Sequence, residues 1–240
     1  MTRLSFIRKK SRLAFTLIEM LVVVTIIVLL LAFSTPALMK TLQSSRLSST
    51  GDTLLGAISE AQQLAFAQGV PVELRFFSYS GDFADDSPMF RSYQMLKVET
   101  KVEGTGTALK ISESMVPAGN LTKFAEGIVI PVDDELSKAL SGDQLEDTKN
   151  GATPGYSGVS GAKFCAIRFM PDGTCRKVGA TTSSDGVTQA VLTFQTLSES
   201  FFTITYDIGA TINVGNLPKN FYTIQIDPFT GKARNYKPGF

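Results

Sequence analysis

Histidine is absent from the 240 residues, and so is tryptophan. Without histidine there is no Ser–His or Cys–His catalytic pair and no imidazole ligand for a metal. Cysteine occurs twice, at Cys165 and Cys175, too few for a disulfide framework or, by themselves, for a structural zinc site. Acidic residues are missing before Phe15, where Arg3, Arg8, Lys9, Lys10 and Arg12 all lie. Residues 21–33 then carry no charge, and Thr25 is their one polar side chain. These absences leave a thin inventory for chemistry, so neither an enzyme nor a cofactor is expected.

The 23 basic and 22 acidic residues nearly cancel, but the balance hides an asymmetry. Removing the five leading cations leaves 18 basic against 22 acidic residues, so the remainder is mildly acidic. Such a body does not advertise general nucleic-acid binding. About 170 residues follow the apolar segment, enough for one globular unit with a real core.

The apolar run is long enough to matter. A helix over residues 15–39 rises roughly 37 Å, against a bilayer hydrocarbon core of about 30 Å. Five cations before it and none within it predict a cytoplasmic N-terminus, with everything after Met39 outside. Glu19 is the anomaly, because a carboxylate in an apolar span costs on the order of 3 kcal/mol and less near the interface. A cut between Ala14 and Phe15 would give Phe15 a free amine one helical turn from Glu19. On a neighbouring helix displaced by a step, amine and carboxylate meet in apolar surroundings. An ordinary signal peptide is the rival reading. It leaves Glu19 interrupting the apolar segment without purpose, and Thr35-Pro36-Ala37 makes a poor cleavage site.

The string Ala14-Phe15-Thr16-Leu17-Ile18-Glu19 resembles the processing signal of type IV prepilins and type II secretion pseudopilins. That resemblance implies cleavage after Ala14 by a prepilin peptidase, N-methylation of Phe15, and assembly guided by Glu19. The family commonly has Gly where this chain has Ala14. Pro36 stands where the family commonly has a helix-kinking proline, and physically it removes one helical hydrogen bond and crowds the preceding turn. The resemblance also implies other pilin or pseudopilin subunits, an inner-membrane assembly platform and membrane lipid as partners. It places the body of the chain in the bacterial periplasm or within a periplasmic or surface filament.

Beyond Pro36, Leu47, Leu54, Ile58, Ala61 and Ala65 form one apolar stripe at helical spacing. Residues 44–53 are rich in Ser and Thr and include Gly51, so they are the weakest helix former. Gly69 and Pro71 end the helix. Strands are expected over 70–79, 93–103, 107–112, 128–132, 163–170, 174–178, 187–197, 201–208 and 221–227. A helical turn or two falls at 133–140 and a loop at 141–161. The expected fold is α+β: a long N-terminal helix, membrane-spanning in its first half, packed on an antiparallel sheet or two packed sheets. The divisions are a basic leader at 1–14, a transmembrane part at 15–39, an amphipathic part at 40–69 and an exported β-rich domain at 70–240.

Weaker likenesses extend into that domain. Ile58-Ser59-Glu60-Ala61 and Gly69-Val70-Pro71-Val72-Glu73-Leu74 are similar to the helix end and first strand of minor pseudopilins of the GspH/FimT type. Phe169-Met170-Pro171-Asp172-Gly173 and Ile226-Asp227-Pro228-Phe229-Thr230-Gly231-Lys232-Ala233-Arg234 are similar to their late turns. The pattern also resembles the pilin-like Verru_Chthon cassette protein D.

Three further groups carry alternatives. Asp82, Asp85 and Asp86, and Asp133, Asp134 and Glu135, offer oxygen ligands but lack EF-hand spacing, so solvated loops are preferred to a metal site. A hairpin at Pro171-Asp172-Gly173 sets Cys175 opposite Phe169 and separates it from Cys165 by about 13 Å. Two buried thiols are therefore preferred to a disulfide. Lys232, Arg234 and Lys237 beside Tyr236 offer a local DNA contact, similar to a basic element of pilin-like DNA-uptake proteins. The alternative function is thus a DNA-binding subunit. A solvated C-terminal strand is preferred, and nucleic acid is not an expected partner.

Overall fold

The computed structural model describes residues 16–81, 87–103, 110–142, 145–146, 153–154, 156–159, 161–182 and 188–238. One helix, α1 (Leu17–Gln68), runs through both of the units into which the chain divides, Met1–Gln43 and Ser44–Phe240.

In the first unit the helix is apolar on every side. Leu17 is 86% exposed and Phe33 81%, and large apolar side chains from Met20 to Leu42 are exposed around the whole circumference. A helix apolar all round suits lipid or a protein interior, and α1 has the length and composition to cross a membrane. Thr25 satisfies its hydroxyl internally by donating to the Leu21 carbonyl at 2.8 Å. The helix continues through position 36.

In the second unit the same helix is amphipathic. Leu47, Leu54, Ile58, Ala61 and Ala65 are buried. The helix stops at Gly69, whose N–H still reaches the Ala65 carbonyl at 3.0 Å and whose φ of +66°, which suits a residue without Cβ, turns the chain out of the helix.

The strands in chain order are β1 (Val72–Tyr79), β2 (Met89–Glu103), β3 (Lys110–Pro117), β4 (Thr122–Lys123), β5 (Ile128–Val129), β6 (Leu145–Glu146), β7 (Lys163–Phe169), β8 (Cys175–Thr182), β9 (Thr188–Thr193), β10 (Phe201–Tyr206), β11 (Tyr222–Ile226) and β12 (Ala233–Tyr236). They form two sheets. The larger is ordered β3-β2-β1-β7-β8-β9, with β4 on β2 and β6 on β7, and the smaller is ordered β12-β11-β10-β5. All pairings among the described residues of both sheets are antiparallel.

The main core lies between the helix stripe and one face of these strands. Val72, Leu74 and Phe76 of β1 join Ile167 and Phe169 of β7 and Phe202, Ile204, Tyr222 and Ile224 of the smaller sheet. The other face of the larger sheet is also covered. Phe77, Phe164, Ala166 and Val178 form a second cluster, with Tyr156 stacked on Phe77 at 4.3 Å between ring centroids.

Several boundaries differ from the sequence reading. β2 begins at Met89 rather than 93, because Met89 and Phe90 pair with Tyr79 and Ser78 beyond a register shift at which Arg91 of β2 is the extra residue. β3 extends to Pro117, and residues 107–109 lie outside the described residues. The expected loop at 141–161 contains β6, which takes up free backbone groups of Phe164 and Lys163 at the end of β7. β4 is a further two-residue addition, on Ser92 and Tyr93. Both additions are too short to leave a periodic pattern. The 133–140 segment is a turn capped by Asp133, followed by a 3-10 helix at Lys138–Leu140.

Candidate functional site

At the start of the helix, Thr16 and Glu19 cap each other. Thr16 N–H and Thr16 Oγ1 each lie 3.4 Å from Glu19 Oε2, and Glu19 N–H lies 3.3 Å from Thr16 Oγ1. This is the reciprocal capping box, in which the N-cap hydroxyl and the carboxylate three residues later satisfy orphan N–H groups. The carboxylate also sits at the positive end of the helix dipole. The Thr16-x-x-Glu19 spacing is itself a sequence signal for a helix start, one not used above, where Glu19 is weighed as a carboxylate in an apolar span and, by resemblance, as an assembly residue. Glu19 remains exposed, with Oε2 used locally and Oε1 carrying no described contact. Ala14 and Phe15 lie outside the described residues. Pro36 is within the helix, and nothing is described of its side chain.

In the second unit the weak helical segment is held by the C-terminal strands. Gly51 faces the Tyr222 ring so closely that a Cβ there would lie 2.7–2.8 Å from three ring carbons. The Tyr222 hydroxyl donates to Asp52 Oδ1 at 2.9 Å and accepts from Asn235 Nδ2 at 2.7 Å. Burial, with the neighbouring Asp52 charge, pushes the Tyr222 phenol up to about 12. Lys237 lies 4.9 Å from the centre of the same ring and donates to Ser48 Oγ at 2.8 Å. Glycine at 51 is thus required by a close approach, and the clamp reinforces the turn of helix that composition left weakest.

The two late turns singled out in the sequence meet each other and the helix. Cys175 N–H donates to the Pro228 carbonyl at 2.9 Å, and a Cβ on Gly231 would lie 2.9 Å from the Gly173 carbonyl. Gln62 of α1 donates to the Thr230 carbonyl. Asp172 accepts from Thr174 N–H at 2.9 Å, and Asp227 accepts from Phe229 N–H at 2.9 Å. Hydrogen bonds from Thr174 hold the Asp172 carboxyl below its usual range, and those from the Phe229 backbone and Thr230 do the same for Asp227.

The candidate DNA element is divided by this arrangement. Lys232 and Arg234 are exposed, with Arg234 on β12 at the edge of the smaller sheet. Lys237 is engaged with Ser48 and Tyr222. Cys165 and Cys175 are buried thiols, and Cys175 is registered opposite Phe169. Burial, with Asp227 nearby, raises the Cys175 thiol to about 12, which keeps it protonated and unreactive near neutrality. Asp133 spends its carboxylate on the Glu135 and Leu136 N–H groups. Asp82, Asp85 and Asp86 lie outside the described residues. Among the described residues no three His, Cys, Asp or Glu side chains gather as a metal site would require.

The sequence reading missed a charged network inside the larger sheet. Glu73 is fully buried and Arg168 is 1% exposed. Glu73 Oε1 accepts from Arg75 Nε at 2.7 Å, and its Oε2 accepts from Arg168 Nε and Nη2 at 3.1 and 2.9 Å. Arg168 Nη1 reaches both Glu113 oxygens at 3.0 and 2.9 Å. Arg75 Nη1 donates to Thr153 Oγ1 at 2.5 Å, and its guanidinium lies 4.3 Å over the Phe164 ring. Two cations and two anions balance, and the register Glu73↔Arg168 brings the central pair together. The alternation Val72-Glu73-Leu74-Arg75 resembles an ordinary half-exposed strand, so no local signal revealed that its polar face is covered.

Residues 9–35 match the family described as the prokaryotic N-terminal methylation motif. No curated protein and no solved structure matches the chain. The match ends before the second unit begins. It supports a pilin-like or pseudopilin chain, a structural subunit processed by a prepilin peptidase and assembled with other pilins. Together with the long apolar helix it fits membrane anchoring.

Proposed function

We propose that this chain is a minor pseudopilin-like subunit of a type II secretion or type IV pilus-like assembly, and that its work is packing rather than catalysis. The methylation motif over residues 9–35 carries the reading. In it, residues 1–14 are removed by cleavage after Ala14, and Phe15 becomes a methylated N-terminus. Residues 15–39 cross the inner membrane with the N-terminus on the cytoplasmic side. Residues 40–69 continue as the amphipathic half of the helix, and residues 70–240 form the exported domain. Glu19 presents a carboxylate to the amine of a neighbouring subunit, Pro36 allows the helix to bend during packing, and the inner-membrane platform drives insertion. The likenesses in the late turns support a GspH/FimT-type or cassette-protein branch.

Mass spectrometry of the N-terminus tests the proposal. The expected mature chain begins at methylated Phe15. A chain beginning after Ala37 would make the segment an ordinary signal peptide and overturn it.

The DNA-uptake reading loses support from Lys237, whose ammonium is engaged with Ser48 and the Tyr222 ring, leaving Lys232 and Arg234 to meet phosphates. Neutralising about two phosphates gives weak, salt-sensitive binding.

A further inference from the structure

The larger sheet has two outer strands, and they differ in how they are guarded. Natural edge strands are protected from unwanted pairing by charge, proline, bulges or a covering segment. β3 carries Lys110 and Glu113 and ends at Pro117. β9 reads Thr-Gln-Ala-Val-Leu-Thr, with no charge and no proline, and Val191 is 41% exposed. Among the described residues no strand pairs with the outer side of either β3 or β9.

The path from β3 to β9 contains six strands, each antiparallel to the next. An even number of alternating strands makes the two edges run in opposite directions. Two copies in the same orientation, set side by side, therefore present β9 of one antiparallel to β3 of the next. The faces agree as well. Register puts Ser114 and Val116 of β3 on the helix side of the sheet, together with Val191 and Thr193 of β9. Met115 and Leu192 fall on the opposite face. A same-orientation neighbour thus keeps each side chain on its proper face, which a one-residue slip would not. The one acid of β3 is held by Arg168 at 2.9 Å, so the joint buries no unpaired carboxylate of that strand.

We propose that β9 of one copy pairs antiparallel with the outer edge of β3 of a second copy in the same orientation, extending the larger sheet from subunit to subunit. The contact is heterologous and open-ended, as filament contacts are. It deepens the filament reading, on which it rests.

Paired cysteines in the full-length chain, expressed with its assembly machinery and mildly oxidised in membranes, test the joint. Ser114→Cys or Val116→Cys is combined with Val191→Cys or Thr193→Cys, four pairings that sample three same-face registers centred on the described residues of both edges. At least one pairing is expected to give a ladder of covalent multimers, and none of the single variants to do so. Met115→Cys with Val191→Cys, on opposite faces, is expected to give less than a tenth of the ladder. Adding Val191→Lys to a ladder-forming Thr193→Cys pairing is expected to remove it. The parent chain supplies the background, since both native thiols are buried. Dimers from Val191→Cys alone would mean two-fold pairing of β9 with β9 and would overturn the proposal, as would absence of a ladder in all four pairings. The N-terminal mass separates the two failures. Methylated Phe15 without a ladder removes this inference alone, whereas an unprocessed N-terminus without a ladder removes the filament reading too.

Discussion

Glu19 and Glu73 are the same residue in two apolar settings, and they are treated oppositely. Glu73 has no exposure, and guanidiniums from Arg75 and Arg168 occupy both of its oxygens. Glu19 is exposed on an apolar helix, and its described contacts are weak local ones to Thr16. In the sheet the chain supplies every partner the carboxylate needs, so the group serves internal register. In the helix the chain supplies only a cap, so the remaining acceptor capacity is available to another molecule. A buried or lipid-facing charge thus points to a function between molecules when its own chain leaves it underpaired.

The largest expected effect breaks the comparison on the helix side. Glu19→Ala removes both the cap and the charge, whereas Glu19→Gln keeps the capping reach and removes only the charge. Both variants are expected to insert in the membrane and to lose incorporation into the assembly, scored by crosslinking to neighbouring subunits. Normal incorporation of Glu19→Gln would reduce Glu19 to a helix cap.

On the sheet side, Arg168→Met leaves Glu73 with one cation and Glu113 with none of its described pairing. Breaking one partner of a buried pair costs about 3–5 kcal/mol. That is a large share of the usual 5–15 kcal/mol of domain stability. The urea midpoint should fall sharply, and Glu73→Leu, Arg75→Leu and Arg168→Met combined, which remove every buried charge of the network, should recover much of the loss. No recovery would show that the network acts through packing rather than charge balance.

Gly51→Ala has a smaller effect. Alanine favours a helix by about 1 kcal/mol over glycine. The Cβ, however, meets the Tyr222 ring, and overpacking costs about 1–3 kcal/mol. A net decrease in the thermal midpoint is expected, whereas an increase would mean the clamp yields without cost.

The smallest effect is a pH dependence of the same clamp. The folded Tyr222 phenol titrates near 12, above its ordinary value near 10. A group raised on folding contributes stability that is complete below its unfolded value and is lost as pH rises through the folded one. The contribution should therefore fade between about pH 10 and 12. Tyr222→Phe should flatten that part of the denaturation profile, and an unchanged slope would place the dependence on another group.

The two regions also differ in how far the chain announced them. Residues 20–33 declared an apolar helix because nothing tertiary is needed to see an uncharged apolar run. The stripe from Leu47 to Ala65, the stop at Gly69 and the hairpin at Pro171-Asp172-Gly173 were equally local, each set by helical period or by turn chemistry over a few residues. The Phe169↔Cys175 register followed from that turn alone. The sequence by itself therefore determined the helix, its change from lipid-like to amphipathic, the antiparallel strands and the motif at Thr16–Glu19. Tertiary structure alone decided that Glu73 and Arg168 meet inside the larger sheet, that Gly51 must admit the Tyr222 ring, and that the turns at Gly173 and Gly231 touch. These contacts join residues far apart in the chain, and strand order, rather than any local period, brings them within bonding distance.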